Sequence, residues 1–461
     1  MIRFGKRIEP LLDNYLIETN TGCRFRAEPL KDEGKVLCFD APWECAGSST
    51  GTAFDDHGTV KLYYRGYPSK TEGLSELEKN QVCCLAESVD GIHFTKTPIN
   101  EIDYFGHTEN NIVAMGTECH NFAPFLDENP LCPPEEKYKA ICGYFKQGIA
   151  TFVSPDGIHW KRKSNGFVIT KGFFDTTNIA FYDTHAKKYR CFTRGFLDRN
   201  GRVIEKHETS AVYGAWQRVI QYCESDDFEH WTEPVHHDYG AAHNKIFEHL
   251  YTNATTPIPG AEHILAAFPM RFQEQRKKVV EFDGNPQGSD GLSDMVFMSS
   301  RDGHHWDRTI REGYLNGSLD QTEWTQRNFI ASSGIMARGQ SFLIYVQKHY
   351  MWEDHGIWAY SLPRYRFVAL EADYDGGEMI TKPLQFETDE FFINYATSAY
   401  GSVVITAVDA DGNVIGQTEE IYGNELSHKI HFNGLKGKCG KLIVTLNDAK
   451  LYAIGADMSV K

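Results

Sequence analysis

Short runs rich in β-branched, aromatic and sulfur residues recur along the chain, each bounded by polar turn residues. Four of them, "QVCCLAES", "GIATFVS", "RVIQYCES" and "DMVFMSS", lead into one repeated turn: "ESVDGIHF" (87–94), "VSPDGIHW" (153–160), "ESDDFEHW" (224–231) and "SSRDGHHW" (299–306). The turn aspartates are Asp90, Asp156, Asp227 and Asp302, at intervals of 66, 71 and 75 residues. A period of this kind marks a propeller or solenoid. Each unit reads as strand, tight turn, strand, with two further strand candidates before it, such as "NFAPFLD" (121–127) and "KYKAICGYF" (137–145) in the second. A fifth unit, 328–367, keeps the strands and lacks the turn. Five units of four antiparallel strands predict an all-β chain built on a five-bladed β-propeller.

The turn joins the third and fourth strands of a blade, far from the axis. There Asp caps the turn, Gly supplies positive φ and the aromatic packs between blades, so these aspartates are expected to be structural. The fifth blade lacks its own fourth strand, and a strand from residues 1–38 is expected to complete it and cover the exposed edge. From 368 the pattern changes to alternating strands with D-G turns, which predicts a C-terminal β-sandwich. The expected domains are 1–367 and 368–461.

Composition narrows the function. The formal net charge of −16 argues against a nucleic-acid binder. No run approaches the ~18–20 apolar residues of a membrane span, and no signal-peptide pattern is visible at the start. The expectation is a cytoplasmic protein, or a periplasmic or secreted one if a leader has been removed. The eleven cysteines sit in apolar runs without a CxxC pair, so they are expected as reduced core thiols, with no metal and no cofactor. Oligomeric state is not legible.

The innermost strand of each blade opens at the mouth of the axis. Those openings carry Asp40 and Glu44; His120 and Asn121; Asp175 and Asn178; Tyr251 and Asn253; Glu323 and Arg327. The second strands return to the same face and end at Arg65, Lys146, Arg194, Arg271 and, beside Lys348, His349. Carboxylates ringed by basic ends suit glycosidic cleavage, in which one carboxyl group protonates the leaving oxygen and another serves as base or nucleophile.

With "APWE", "HNFAPFLDENP", "SPDGIHW", "FDTTNIAFYD" and "DAKLY", the chain resembles the five-bladed propeller glycoside hydrolases, the superfamily of families 32, 43, 68, 117 and 130. It is more similar still to uncharacterised bacterial glycosyl hydrolases with the same propeller and sandwich. The resemblance implies a hydrolase acting on a plant or algal oligosaccharide, anionic ones included, with acids on the inner strands of the first three blades. It carries over to Glu44 (or Asp40) and Asp175. The catalytic set expected is Glu44 and Asp175, with Glu323 in reserve and His120 and Arg194 tuning charge, and with inversion of configuration. The remaining mouth residues are expected to bind carbohydrate. Three alternatives stand beside this reading. One is a non-catalytic sugar- or protein-binding propeller. Another is a sialidase-like enzyme with Arg65, Arg194 and Arg271 around Tyr251. The last is a glycoside phosphorylase.

Overall fold

The computed structural model describes residues 1–45, 47–67, 79–96, 98–144, 147–204, 216–241, 243–244, 246–280 and 290–459. Among them the chain is all-β. Helical turns such as Thr117–Cys119, Pro134–Glu136 and Gln321–Glu323 are short, and among the described residues no helix is long and apolar enough to cross a membrane. There are two compact units. One is Lys31–Met336 with Leu343–Tyr360; the other is Met1–Leu30 with Ala337–Phe342 and Ser361–Lys461.

The first unit holds five main sheets. The first is Ser49–Asp56, Thr59–Gly66, Val82–Ser88 and Ile112–Met115, and the second Ala123–Leu126, Tyr138–Tyr144, Gly148–Ser154 and Lys161–Arg162. The third is Ile179–Asp183, Lys188–Asp198, Trp216–Ser225 and Val235–His236. The fourth is Thr256–Ile258, Ala261–Ala267, Met298–Ser300 and Trp306–Asp307. The fifth is Ile330–Ala331, Ser341–Lys348 and Gly356–Pro363, joined on its far edge by Lys31–Cys38. Beside the fourth lies a three-stranded sheet of His249–Leu250, Met270–Gln273 and Leu292–Met295. Ala261–Ala267 and Met270–Gln273 are separate strands, parted at Phe268–Pro269, because a proline cannot donate to the ladder.

Every residue of Gly148–Ser154 is buried, since both faces of that strand are covered; its apolar run is therefore nearly continuous. Apolar layers join neighbouring sheets. Tyr63 and Leu85 meet Phe122 and Phe152. Ile141, Phe192 and Leu265 share one cluster. Met270 meets Ile330, and Tyr345 and Ile357 share a cluster with Ala53 and Tyr64. Hydrogen bonds follow the same path: Thr52 Oγ1 to Pro124 O at 2.6 Å, Asn253 Nδ2 to Thr177 O at 3.3 Å, Ser333 Oγ to Thr255 O at 2.8 Å, and Ala53 N to Ser333 O at 2.8 Å. A cavity of about 260 Å³ is lined by Phe54, Phe125, Phe181 and Pro257, from the first strands of the first four sheets, and by Ile335, which follows Ile330–Ala331 of the fifth.

The repeated turn is a rigid cap. Asp90, Asp156, Asp227 and Asp302 each accept through Oδ1 from two backbone N–H groups, and through Oδ2 each meets the histidine three residues on, at 2.6–2.7 Å. Gly91, Gly157 and Gly303 have φ near +80°, and Phe228 takes the same left-handed position with φ 68°. In the second, third and fourth sheets the turn leads to the fourth strand. In the first, Thr95 makes only a bridge to Glu87, and the fourth strand is Ile112–Met115.

In the second unit, Glu390–Asp409 pairs with Cys439–Gly455, the register shifting between Thr397 and Ser402. Ile2–Phe4 lies parallel to Leu384–Phe386, and Cys23–Ala27 antiparallel to Val368–Ala372. Residues 1–30 therefore belong to this unit, which corrects the expected division at 367/368; only Lys31–Cys38 joins the fifth sheet. All eleven cysteines are free thiols, six of them buried.

Candidate functional site

Asp175 lies in the loop before Ile179–Asp183. Asn178 shapes that loop: its Nδ2 donates to Phe174 O at 2.8 Å and to Thr176 O at 3.0 Å. Thr176 Oγ1 ties the loop to Tyr251 O at 2.9 Å. The result is a carboxylate set among other groups yet reachable, its side chain 41% exposed, with Oδ1 2.8 Å from His120 Nε2. The other ring nitrogen of His120 faces Gln81 Oε1 at 3.2 Å, which fixes the ring. Burial raises the Asp175 pKa, but the His120 hydrogen bond and the charges of Arg194, His120 and Arg65 outweigh it and hold the group below the ordinary carboxylate range.

Arginines surround this pair. Arg65, at the end of Thr59–Gly66, donates to Gly47 O at 3.2 Å and Asn121 Oδ1 at 3.4 Å. Arg194 and Arg218 lie 5.0 and 5.2 Å from the Tyr251 ring centre. Arg327, with φ 58°, donates to Tyr350 Oη at 3.1 Å. Burial raises the Tyr251 pKa, and the charges of Arg327, Arg194 and Arg218 more than reverse it, so the phenol is held below its ordinary range. The Nε of Arg65, Arg194 and Arg218 and the Nδ2 of Asn121 are buried without a hydrogen-bond partner. All five sheets or their loops thus supply a group; Arg218 is already paired with Glu274 at 3.1 Å, so Arg65, Arg194 and Arg327 are the arginines left to face the reachable carboxylate.

Of the residues expected from sequence, the structure brings together Arg65, His120, Asn121, Asp175, Arg194, Tyr251 and Arg327. Glu44 is not among them. Its side chain has no exposure and is saturated: Oε2 accepts from Asp40 N at 3.0 Å, Ala41 N at 3.1 Å and Lys96 Nζ, and Oε1 accepts from Tyr64 Oη at 2.6 Å. Asp40 is exposed and pairs with the same lysine at 2.8 Å. Glu323 is buried against Lys348 at 2.6 Å and accepts from Ser318 N at 2.6 Å. His349 faces Asp354 at 2.6 Å. Arg271 is held by Asp294 and Glu248, so it forms no clamp with Arg65 and Arg194. Asn178 and Asn253 are buried loop ties rather than substrate contacts. Lys146 lies outside the described residues.

No family model matches the chain, and no curated protein matches it. Solved structures similar to it include a family 43 arabinoxylan arabinofuranohydrolase from Bacillus subtilis in complex with cellotetraose (9% identity, 90% of this chain and 96% of that one, TM-score 0.42). A β-1,2-mannobiose phosphorylase from Listeria innocua is similar at 10% identity, over 73% of this chain and 96% of that one, with TM-score 0.44. An N-acetylgalactosamine deacetylase from F. plautii is similar at 12%, over 92% and 95%, with TM-score 0.40. The structural neighbours thus include glycoside hydrolase family 43 and related glycosidases. At these values the likeness carries no chemistry, which must come from the site.

Arg218, Tyr350 and Gln81 were not expected. Arg218 lies on a third strand, in "WQRVIQY", one strand beyond the returning ends where basic residues were sought. Its signal was a lone arginine just before an apolar run.

Proposed function

We propose that the chain is a glycosidase acting on an anionic carbohydrate, with Asp175 as the proton-transferring carboxylate. The first unit would be a closed five-bladed propeller and the second a β-sandwich accessory. The observation that carries this is a reachable carboxylate, Asp175, oriented by His120 and set among Arg65, Arg194 and Arg327, with Arg218, itself paired to Glu274, beside Tyr251. A planar guanidinium pairs well with a sugar carboxylate or sulfate. An anion bound there would neutralise charge that now holds Asp175 low, raising its pKa toward a value at which it can exchange a proton. Glu44 and Glu323 are closed off in ion pairs, so the paired-carboxylate scheme reduces to Asp175 with Tyr251 as the candidate second group.

The test is turnover on nitrophenyl glycosides and oligosaccharides of neutral, uronic and sulfated sugars. Cleavage confined to anionic sugars supports the reading; no turnover on any, with the fold intact, overturns it in favour of a binding module. The arginine excess also favours a second reading, phosphorolysis with inorganic phosphate as co-substrate. Turnover that needs phosphate and releases a sugar 1-phosphate would establish it.

A further inference from the structure

The fourth repeated turn differs from its three sisters in the residue just before the capping histidine. Where they carry Ile92, Ile158 and Glu229, between the capping aspartate and its histidine, it carries His304. Its imidazole is no part of the cap, which Asp302, the backbone N–H of His304 and His305 make as in the other turns. It does complete a cluster. Asp238, from the chain just beyond Val235–His236 of the third sheet, lies with His304 and His305 so that one donor atom from each falls within 4.8 Å of the others.

We infer that Asp238, His304 and His305 form a binding site for a zinc-class divalent cation that clips the third sheet to the fourth. Asp238 and His305 are each committed in a way that leaves one atom free. Asp238 Oδ1 accepts from Gly240 N at 2.8 Å and Asn244 Nδ2 at 2.7 Å, while Oδ2 faces His305 Nε2 at 3.8 Å. That is too long for a hydrogen bond. It is close to the separation of about 3.3 Å between two donors of a tetrahedral ion at bond lengths of about 2.0 Å. His305 spends Nδ1 on Asp302 Oδ2 at 2.7 Å, the carboxylate backing that metal-bound imidazoles commonly have, and keeps Nε2 for the ion. The Nδ1 of His304 is buried and has no hydrogen-bond partner.

The backbone holds the set in place without an ion. Asp238 N donates to His304 O at 2.9 Å, and Trp306 N donates to Asp238 O at 2.8 Å. Two imidazoles and one carboxylate suit zinc, cobalt or nickel rather than calcium or magnesium, which take oxygen ligands. Three protein donors leave the fourth position to water.

The experiment is calorimetric titration of zinc into chelator-stripped full-length protein, with cobalt absorption as a second probe. The deciding variant is His304→Ile, which restores the residue of two sister turns and should fold normally; Asp238→Asn is the second. One zinc per chain is expected, at least tenfold weaker in either variant, with a zinc-dependent rise in melting temperature that His304→Ile lacks. No zinc binding by the wild-type chain would overturn the inference. So would wild-type affinity in both variants, which would place the metal on thiols elsewhere.

Discussion

Glu44 and Asp175 hold corresponding places, each ahead of the first strand of its sheet, and have opposite fates. Glu44 accepts from Asp40 N, Ala41 N, Lys96 and Tyr64 and its side chain has no exposure, so no substrate reaches it. Asp175 uses one oxygen on His120 and stays reachable. Glu44→Gln should therefore remove the buried half of the Lys96 ion pair, leaving that lysine to the exposed Asp40, and lower stability by about 1–3 kcal/mol. The kcat of the folded fraction should be unchanged. Asp175→Asn should keep the fold and lose about 10²-fold or more in kcat. Denaturant titration beside initial rates separates the two. A stable Glu44→Gln variant that has lost its activity would return Glu44 to the catalytic set. The difference was not legible because Lys96 lies 52 residues from Glu44 in sequence and meets it only through the path taken after the first turn.

The repeated turn was legible as an element, because Asp and Gly act through their own backbone neighbourhood. The histidine three residues beyond each aspartate was in plain view in "DGIH", "DFEH" and "DGHH" and was passed over. Its role depends on a side chain folding back to the second carboxylate oxygen. In the third turn, burial raises the Asp227 pKa, but hydrogen bonds from the backbone and side chain of His230 outweigh it and hold the group below its ordinary range, while Asp227 holds the His230 imidazole above its own. The signs follow. The carboxylate contributes stability above the unfolded carboxylate range and loses it as pH falls through its depressed folded pKa. The imidazole contributes below about pH 6.5 and loses it as pH rises through its raised value. The pair is thus fully effective only in the mildly acidic window between. NMR titration should find His230 above the free-histidine value, and Asp227→Asn should return it toward about 6.5; an unchanged titration would remove the pairing. In the second turn, Asp156→Ala should cost roughly 1 kcal/mol through the lost cap, with kcat unaltered.

At the scale of the whole chain, the strands were legible and their allegiance was not. Residues 1–38 contain only short runs, and strand alternation does not say which sheet an edge will join. The pairing that divides them is long-range: Lys31–Cys38 goes to Gly356–Pro363, while Ile2–Phe4 goes to Leu384–Phe386. Phe4 makes the consequence measurable. It is 2% exposed, with ring centres 6.0 Å from Phe386 and 5.4 Å from Phe391 in the core of the second unit. Removing a buried phenyl ring loses its transfer energy and leaves a cavity, so Phe4→Ala should cost about 3–5 kcal/mol. The loss should fall on the unit that contains Ser361–Lys461. Hydrogen exchange read peptide by peptide should show faster exchange in Glu390–Asp409 and Cys439–Gly455. It should leave Gly148–Ser154 and Lys188–Asp198 as protected as before. Faster exchange in those two strands alone would instead assign the N-terminal segment to the five sheets.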